Sequence, residues 1–568
     1  MSLIGALNTG QSALAASQAA IQVIGNNISN SGNADYTRQA TETTPGPEQQ
    51  IQTGVFVGTG VEISSIKRQI DDALESRLRG SISDTQSAQT TQQWLSQVQS
   101  VFNALGTNNL STSMSSFFNS WSTLANTPQD MGQRQVVLQQ GQALAQQFTA
   151  VRQQLTALGT SVSSDLSDAV KTADTLASQI ASLNGQIVTA SNGGTGSPNA
   201  LLDQRDAALK QLSQLMNVTT QAQPDGSVSV YVGSQPLVTA NVSNGVAIKN
   251  TDVNGVATPT VVFKSNGGTM PINGSGQLGG LSDMQARITG VVDQVDSLAH
   301  NLIYEVNQVY SGGQGLQGFT SVTATNSASD TTKSLADPAS GLKFTPTNGS
   351  FVLHVTDPTT GQSTSTLVQV NLTGAAGDTT LDSLTASLNA IPGVKATDNG
   401  GQLQISATTP GQQLTFSQDS SGTLAAVGVN TFFTGTDASN IAVNQVVSTQ
   451  PQLLAAAQNG DPGDNQTAVA IAGLASQPIS GLGGASLNDN YQSMINGIAT
   501  QAATAQSNAQ AAQSVQDTLQ SQRDSISGVS MDEEAVNLMK QQQAYQGAAR
   551  LINVINQLMQ SIISMTYP

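Results

Sequence analysis

The side chains best suited to chemistry are few. The 568 residues include no cysteine and only two histidines, His300 and His354. A zinc site needs several His, Cys or carboxylate ligands at short fixed spacings, and neither histidine has such a neighbour. The H-E-x-x-H pattern is absent, as is the phosphate-cradling G-x-x-x-x-G-K-[ST] loop. No G-x-S-x-G elbow presents a serine nucleophile. One pattern does match: Gly274, Gly276 and Gly279 fit G-x-G-x-x-G, and Asp296 follows at about the spacing of a ribose-binding acid. It is open to two readings, a dinucleotide fingerprint or a turn leading from a β segment back into helix. No β-α-β series surrounds it, which favours the turn. Consecutive acids at Asp532, Glu533 and Glu534 fit helix-start electrostatics better than acid–base catalysis. No catalytic residue, metal ligand or cofactor site is therefore expected, and the chain reads as a non-enzyme.

The elements that would have to position any site dominate the sequence. The last forty residues begin with Ser530 and Glu533, spaced as a capping box in which the serine caps a free N–H and the glutamate reaches back. Two adjacent apolar stripes follow. One carries Met531, Ala535, Leu538, Tyr545, Ala549, Ile552, Met559 and Ile563. The other carries Ala544, Ala548, Leu551, Ile555, Leu558, Ile562 and Met565. Two stripes imply burial against several helices at once. A terminal helix frays unless something holds it. The partner proposed by the pattern is the first thirty residues, where Leu3, Leu7, Leu14, Ile21, Ile24 and Ile28 keep helical spacing and Gly10 and Ser17 permit close approach. Residues 1–37 hold no Lys or Arg and one acid, Asp35, and residues 541–568 hold one charge, Arg550. Contacts between these ends should be apolar and insensitive to salt.

Between the ends the periodicity alternates. Residues 37–70 read as extended, with the 55–63 stretch alternating like a short hairpin. Residues 71–217 are helical, and Val162 to Ile187 hold an unbroken helical register. Residues 219–280 alternate as strands after the turn at Pro224-Asp225-Gly226. Helix returns at 281–310. Residues 311–445 are strand-rich, with one helix at 381–391 and a core anchor at Phe432 and Phe433. Residues 446–527 read as helix again. The expected fold class is α+β multidomain, with the terminal helices paired as a coiled coil, a discontinuous helical-bundle domain and β-rich inserted domains. The expected parts are a terminal domain (1–70 and 527–568), a helical domain (71–217, 281–315 and 446–526), a small β subdomain (218–280) and a β-rich outer domain (316–445).

Composition restricts partners. The net charge is −17 and no Lys/Arg cluster appears, which disfavours nucleic acid. No run of 18 apolar residues exists, so no membrane insertion is expected. The N-terminus lacks the basic and continuous apolar regions of a secretory signal.

The stretch ALNTGQSALAASQAAIQVIGNNISN, with Tyr36, Arg38 and Gln39, resembles flagellar axial proteins. SGVSMDEEAVNLMKQQQAYQGAARLINVINQLM is similar to the hook-associated members of that family, as are LLDQRD in 201–206 and the segment 427–444. Where family members carry a T-P-G-Y turn, this chain has Gly32-Asn33-Ala34-Asp35-Tyr36. The resemblance implies a structural protein that joins hook to filament by self-assembly through its terminal helices. It implies export by the flagellar type III apparatus and a place outside the cell at the hook–filament junction. The implied partners are further copies of the chain in a ring or helical assembly, the hook protein, the next hook-associated protein on the filament side and an export chaperone on the C-terminal helix. Periodicity alone equally allows a terminal helical hairpin that closes one globular core. Within the assembly that the resemblance implies, Leu3, Leu7, Leu14, Ile21 and Ile28 with Leu538, Tyr545, Ala549, Leu551, Ile552, Ile555, Leu558 and Ile562 form the candidate assembly interface. Asn26, Asn27, Tyr36 and Arg38 join it by resemblance alone. Two alternatives stay open: another axial protein of the flagellin or third hook-associated type, or a surface adhesin whose β domains bind glycans.

Overall fold

The structure is a computed structural model that describes residues 3–102, 109–192, 198–253, 256–272 and 274–566. Its helices are α1 (Leu3–Ser29), α2 (Asp72–Phe102), α3 (Leu110–Asn126), α4 (Met131–Asn192), α5 (Asn199–Leu215), α6 (Gly276–Ser311), α7 (Leu381–Asn389), α8 (Thr423–Val427), α9 (Gln445–Thr449), α10 (Gln466–Gly473), α11 (Leu487–Ser527) and α12 (Met531–Thr566). Every strand pairing among the described residues is antiparallel. The chain forms two compact units: Met1–Gln93, Val162–Gln285 and Thr504–Pro568 make one, Trp94–Ser161 and Ala286–Ala503 the other. This partition is coarser than the four parts expected from composition, and it groups the terminal helices with helical and β segments from the middle of the chain.

In the first unit, α1 has no proline and ends where Asn30 N–H donates to the carbonyls of Asn26 and Asn27, both at 3.1 Å. The chain then returns along α1 as strands β1 (Gln39–Pro45), β2 (Gln49–Gln52), β3 (Val55–Val57) and β4 (Val61–Arg68). β1 pairs with β4, and β2 with β3. The hairpin expected within 55–63 is thus corrected: β3 and β4 alternate as strands, but each pairs with an earlier strand. Gly60 explains the break. Its φ is +113°, and a Cβ there would lie 2.2 Å from Ser12 Oγ, so only glycine passes α1 at this point.

The register from Val162 to Ile187 is fully inward: Val162, Ala173 and Ile180 are 0% exposed and Leu166 and Ile187 1%. A four-stranded meander follows α5, formed by β5 (Thr219–Ala222), β6 (Val228–Val232), β7 (Gln235–Thr239) and β8 (Val242–Ser243). A separate pair, β9 (Val246–Val253) and β10 (Val256–Phe263), stands after it. The glycines in the first turn of α6 serve backbone packing. Gly276 has φ +62°, and a Cβ on it would lie 2.3 Å from the Leu215 carbonyl. One on Gly279 would lie 2.4 Å from the Ile272 oxygen. With no parallel pairing nearby, this pattern is the re-entry turn. Asp296 is bonded to Arg152 Nε at 2.9 and 3.1 Å.

The second unit holds two three-stranded sheets. One, ordered β11-β15-β14, uses β11 (Ser321–Thr323), β14 (Val394–Asp398) and β15 (Leu403–Ala407). The other, ordered β13-β12-β16, uses β12 (Gly349–Thr356), β13 (Ser363–Val370) and β16 (Gln413–Ser417). α7 packs its buried Leu381, Leu384 and Leu388 into their common core. Phe432 and Phe433 are fully buried and meet Phe117 with ring centroids 5.5 and 5.4 Å away. Phe432 also meets Tyr310 of α6 at 5.6 Å. A Cβ on Gly141 would lie 2.7 Å from the Phe432 ring, so glycine there makes room for the aromatic. The reading of 446–527 as helix holds in part. Helices α9 and α10 and two short 3-10 turns occupy 445–482, and the long helix α11 begins only at Leu487. Pro451, Pro462 and Pro478, with Gly460, Gly463 and Gly481 to Gly484, interrupt it.

Candidate assembly interface

α1 and α12 pack antiparallel. A Cβ on Gly10 would lie 2.8 Å from Ile552 Cγ1, while at the other end Asn27 Nδ2 donates to Glu534 Oε2 at 3.1 Å. The most buried face of α1 is made of small and β-branched residues: Gly10, Ala16, Ser17, Ala20, Val23, Ile24 and Asn27. Leu3, Leu7, Leu14, Ile21 and Ile28 are half-buried. On α12, Ala548 and Ile555 are buried, and Leu538, Ala549 and Ile552 are half-buried. Tyr545, Leu551, Leu558 and Ile562 remain 37%, 43%, 50% and 49% exposed. The α1 seam therefore covers only a strip of α12, and the double stripe leaves a wide apolar face uncovered.

The base of the pair is polar, which periodicity did not reveal. Glu534 is 2% exposed and accepts from Arg38 Nε at 2.8 Å as well as from Asn27. Glu533 accepts from Arg38 Nη1 at 2.8 Å. The capping box is thus half realised. Ser530 Oγ accepts from the Glu533 N–H at 3.4 Å, but the Glu533 carboxylate turns to Arg38 instead of back to the cap. Asn27 is saturated: its Oδ1 accepts from Tyr36 OH at 2.8 Å and Gln39 N–H at 3.0 Å, and its Nδ2 also donates to Gln39 O at 2.9 Å. Asn26 is exposed and reaches Tyr36 OH at 3.4 Å. The main chain joins in, as Arg38 N–H donates to Ser527 O at 2.9 Å.

A buried carboxylate is tolerable only when its lone pairs are filled. Here one guanidinium and one amide fill them. Burial, then the Asp203 and Glu534 charges, push the Tyr36 hydroxyl up to about 12. It is held protonated as the donor that Asn27 requires. Behind Tyr36, Arg68 bonds Asp203 and Asp206 at 2.9 and 2.6 Å, tying the strands to α5. Burial raises the Asp203 carboxyl pKa against the opposing Arg68 contact. The cleft beside Tyr36 is lined by amides and by the Asp35 and Asp203 carboxylates, without a cation, so it does not suit phosphate.

Of the candidates named from sequence, Asn27, Tyr36 and Arg38 meet in this node, and Asn26 lies at its edge. Glu533, Glu534 and Gln39 were missed as members. A signal existed: Arg38 is the sole Lys or Arg in residues 1–66, and three acids open the terminal helix. The histidines serve structure. His300 bonds Thr436 O at 2.9 Å and stacks on Phe344, and His354 lies between Ser365 Oγ and Ser417 Oγ, both at 2.7 Å. No group of three metal-ligating side chains occurs among the described residues.

Residues 95–323 match the family described as "Flagellar hook-associated protein FlgK helical domain", and residues 520–565 match "Flagellar basal body rod FlgEFG protein C-terminal". The chain is 27% identical to flagellar hook-associated protein 1 of Escherichia coli (strain K12) over 98% of this chain and 99% of that one. It is 26% identical to flagellar hook-associated protein 1 of Salmonella typhimurium, with the same coverage. The fold resembles the solved flagellar hook junction protein FlgK from Burkholderia pseudomallei. The TM-score is 0.51 and the identity 20%, over 80% of this chain and 100% of that structure.

Proposed function

Since the chain belongs to the flagellar hook-associated protein 1 family, we propose that α1 and α12 are the parts through which it assembles into the flagellar axis at the hook–filament junction. The observation that carries this reading is the uncovered apolar face of α12. A helix that pairs with α1 along one strip and leaves Leu551, Leu558 and Ile562 about half exposed gains further burial when other helices arrive. The action is packing, and the Arg38–Glu534 node orients the pair for it.

The proposed neighbours are copies of the same chain, the hook protein on one side and the next hook-associated protein on the other. The same exposed face needs cover before assembly, which suits an export chaperone on α12. No described helix is long and apolar enough to cross a membrane. The proposed site of action is outside the cell, after export. The interface comprises the half-buried leucines and isoleucines of α1 with Leu538, Tyr545, Ala549, Leu551, Ile552, Ile555, Leu558 and Ile562. The node of Asn26, Asn27, Tyr36 and Arg38 completes it.

Electron microscopy of cells lacking the gene tests the role. Hooks without filaments, with flagellin lost to the medium, are expected; normal filaments would overturn it. A chaperone that still bound a chain lacking residues 528–568 would refute its placement on α12.

A further inference from the structure

The β2–β3 pair is poorly protected. Its seven strand residues are exposed except Val57, which is half-buried. Ile51, Val55 and Phe56 are 49%, 45% and 57% exposed. An isolated two-stranded hairpin is marginal in water, and an apolar tip of this kind marks a contact surface. Its base is firmly held. Gly46 N–H donates to Gly60 O at 2.9 Å, Thr59 Oγ1 to Pro47 O at 2.7 Å, and Val61 N–H to Ser12 Oγ of α1 at 3.2 Å. A pinned base presents a bare tip.

We propose that this tip docks on the α12 stripe Leu551, Val554, Leu558 and Ile562 of a second copy of the chain. The inference rests on the proposed function and specifies a contact within it. Three observations select this occupant. The stripe is uncovered in the chain's own fold, at 43%, 51%, 50% and 49% exposure, so neither surface satisfies the other within one copy. Neither segment, 49–57 or 551–566, contains a charge, so each offers the other an apolar contact with no ion to desolvate. The two patches differ, and a contact between unlike patches repeats from copy to copy without forced closure, as an axial assembly requires.

The absence of cysteine makes the test clean. Phe56→Cys and Leu558→Cys variants, one thiol each, are expressed together in cells lacking the gene, and isolated flagella are oxidised with copper phenanthroline. A dimer-sized product that forms only when both variants are present is expected. Products from either variant alone, with none specific to the mixture, would overturn the proposal, as would no product from flagella that contain the chain. Absence of even the unaltered chain from flagella would instead overturn the proposed function, and this inference with it. Separately, Phe56→Asp should lower incorporation about tenfold or more at equal chain level, and Phe56→Leu should restore it. Phe56→Asp chains that incorporate like the parent would overturn the contact.

Discussion

Helices α6 and α12 are both 36 residues long and both carry a long apolar register, interrupted in α6 by Glu305. Their fates differ. α6 buries Met284, Ile288, Val295, Leu298, Leu302, Ile303, Val306 and Tyr310 to 2% exposure or less. α12 buries only Glu534, Ala548 and Ile555. Under the proposed assembly, an apolar stripe records that a helix face is covered in the working state. It does not record whether the cover comes from the same chain. α6 is covered within its own fold, whereas α12 keeps the wide apolar face that the proposed assembly would cover.

Mutations at the two kinds of face should separate this contrast. The largest effect belongs to the aromatic cluster that holds Tyr310 of α6. Phe432→Ala should cost about 3–5 kcal/mol, read as a lower urea midpoint for the second unit. Next comes the node. Arg38→Ala leaves Glu534 buried without its cation and should cost about 3 kcal/mol, seen as faster amide exchange in α12. Unchanged exchange would show that the pair is held by apolar contact alone.

A smaller effect concerns pH. Tyr36 has a folded pKa of about 12 against 10 for the free side chain. Its contribution is therefore complete below pH 10 and is lost as pH rises through 12. Tyr36→Phe should flatten the fall in stability across that window relative to the parent, and an identical slope would refute the role. The smallest is Leu558→Ala, which should change monomer stability by less than about 0.5 kcal/mol yet reduce incorporation into flagella. A large monomer loss would mean that α12 resembles α6 after all.

The sequence made some of this legible. Val162 to Ile187 could be read because a helix facing a core needs only one local period, and the α1–α12 partnership followed from two unpartnered stripes. Other parts were hidden for physical reasons. Alternation in 55–63 marks strands but not their partners, and a glycine forced by the approach of α1 separated them. The prolines between 451 and 478 break the helix ahead of the register that starts at Tyr491. The Arg38–Glu534 bond joins residues 496 apart, so no local rule could pair them. The leucines expected to fill the seam stand half-covered, while Gly10 meets Ile552 directly, because the close approach there leaves no room for a Cβ.

The distance in sequence between Arg38 and Glu534 acts as a check on completeness. A chain that stops anywhere before its last helix leaves Asn27 and Arg38 without their acceptor and α1 without its cover. Such a fragment lacks the face that the proposed assembly uses between copies. Under the proposed assembly, truncated products would be excluded from the structure that full-length copies build.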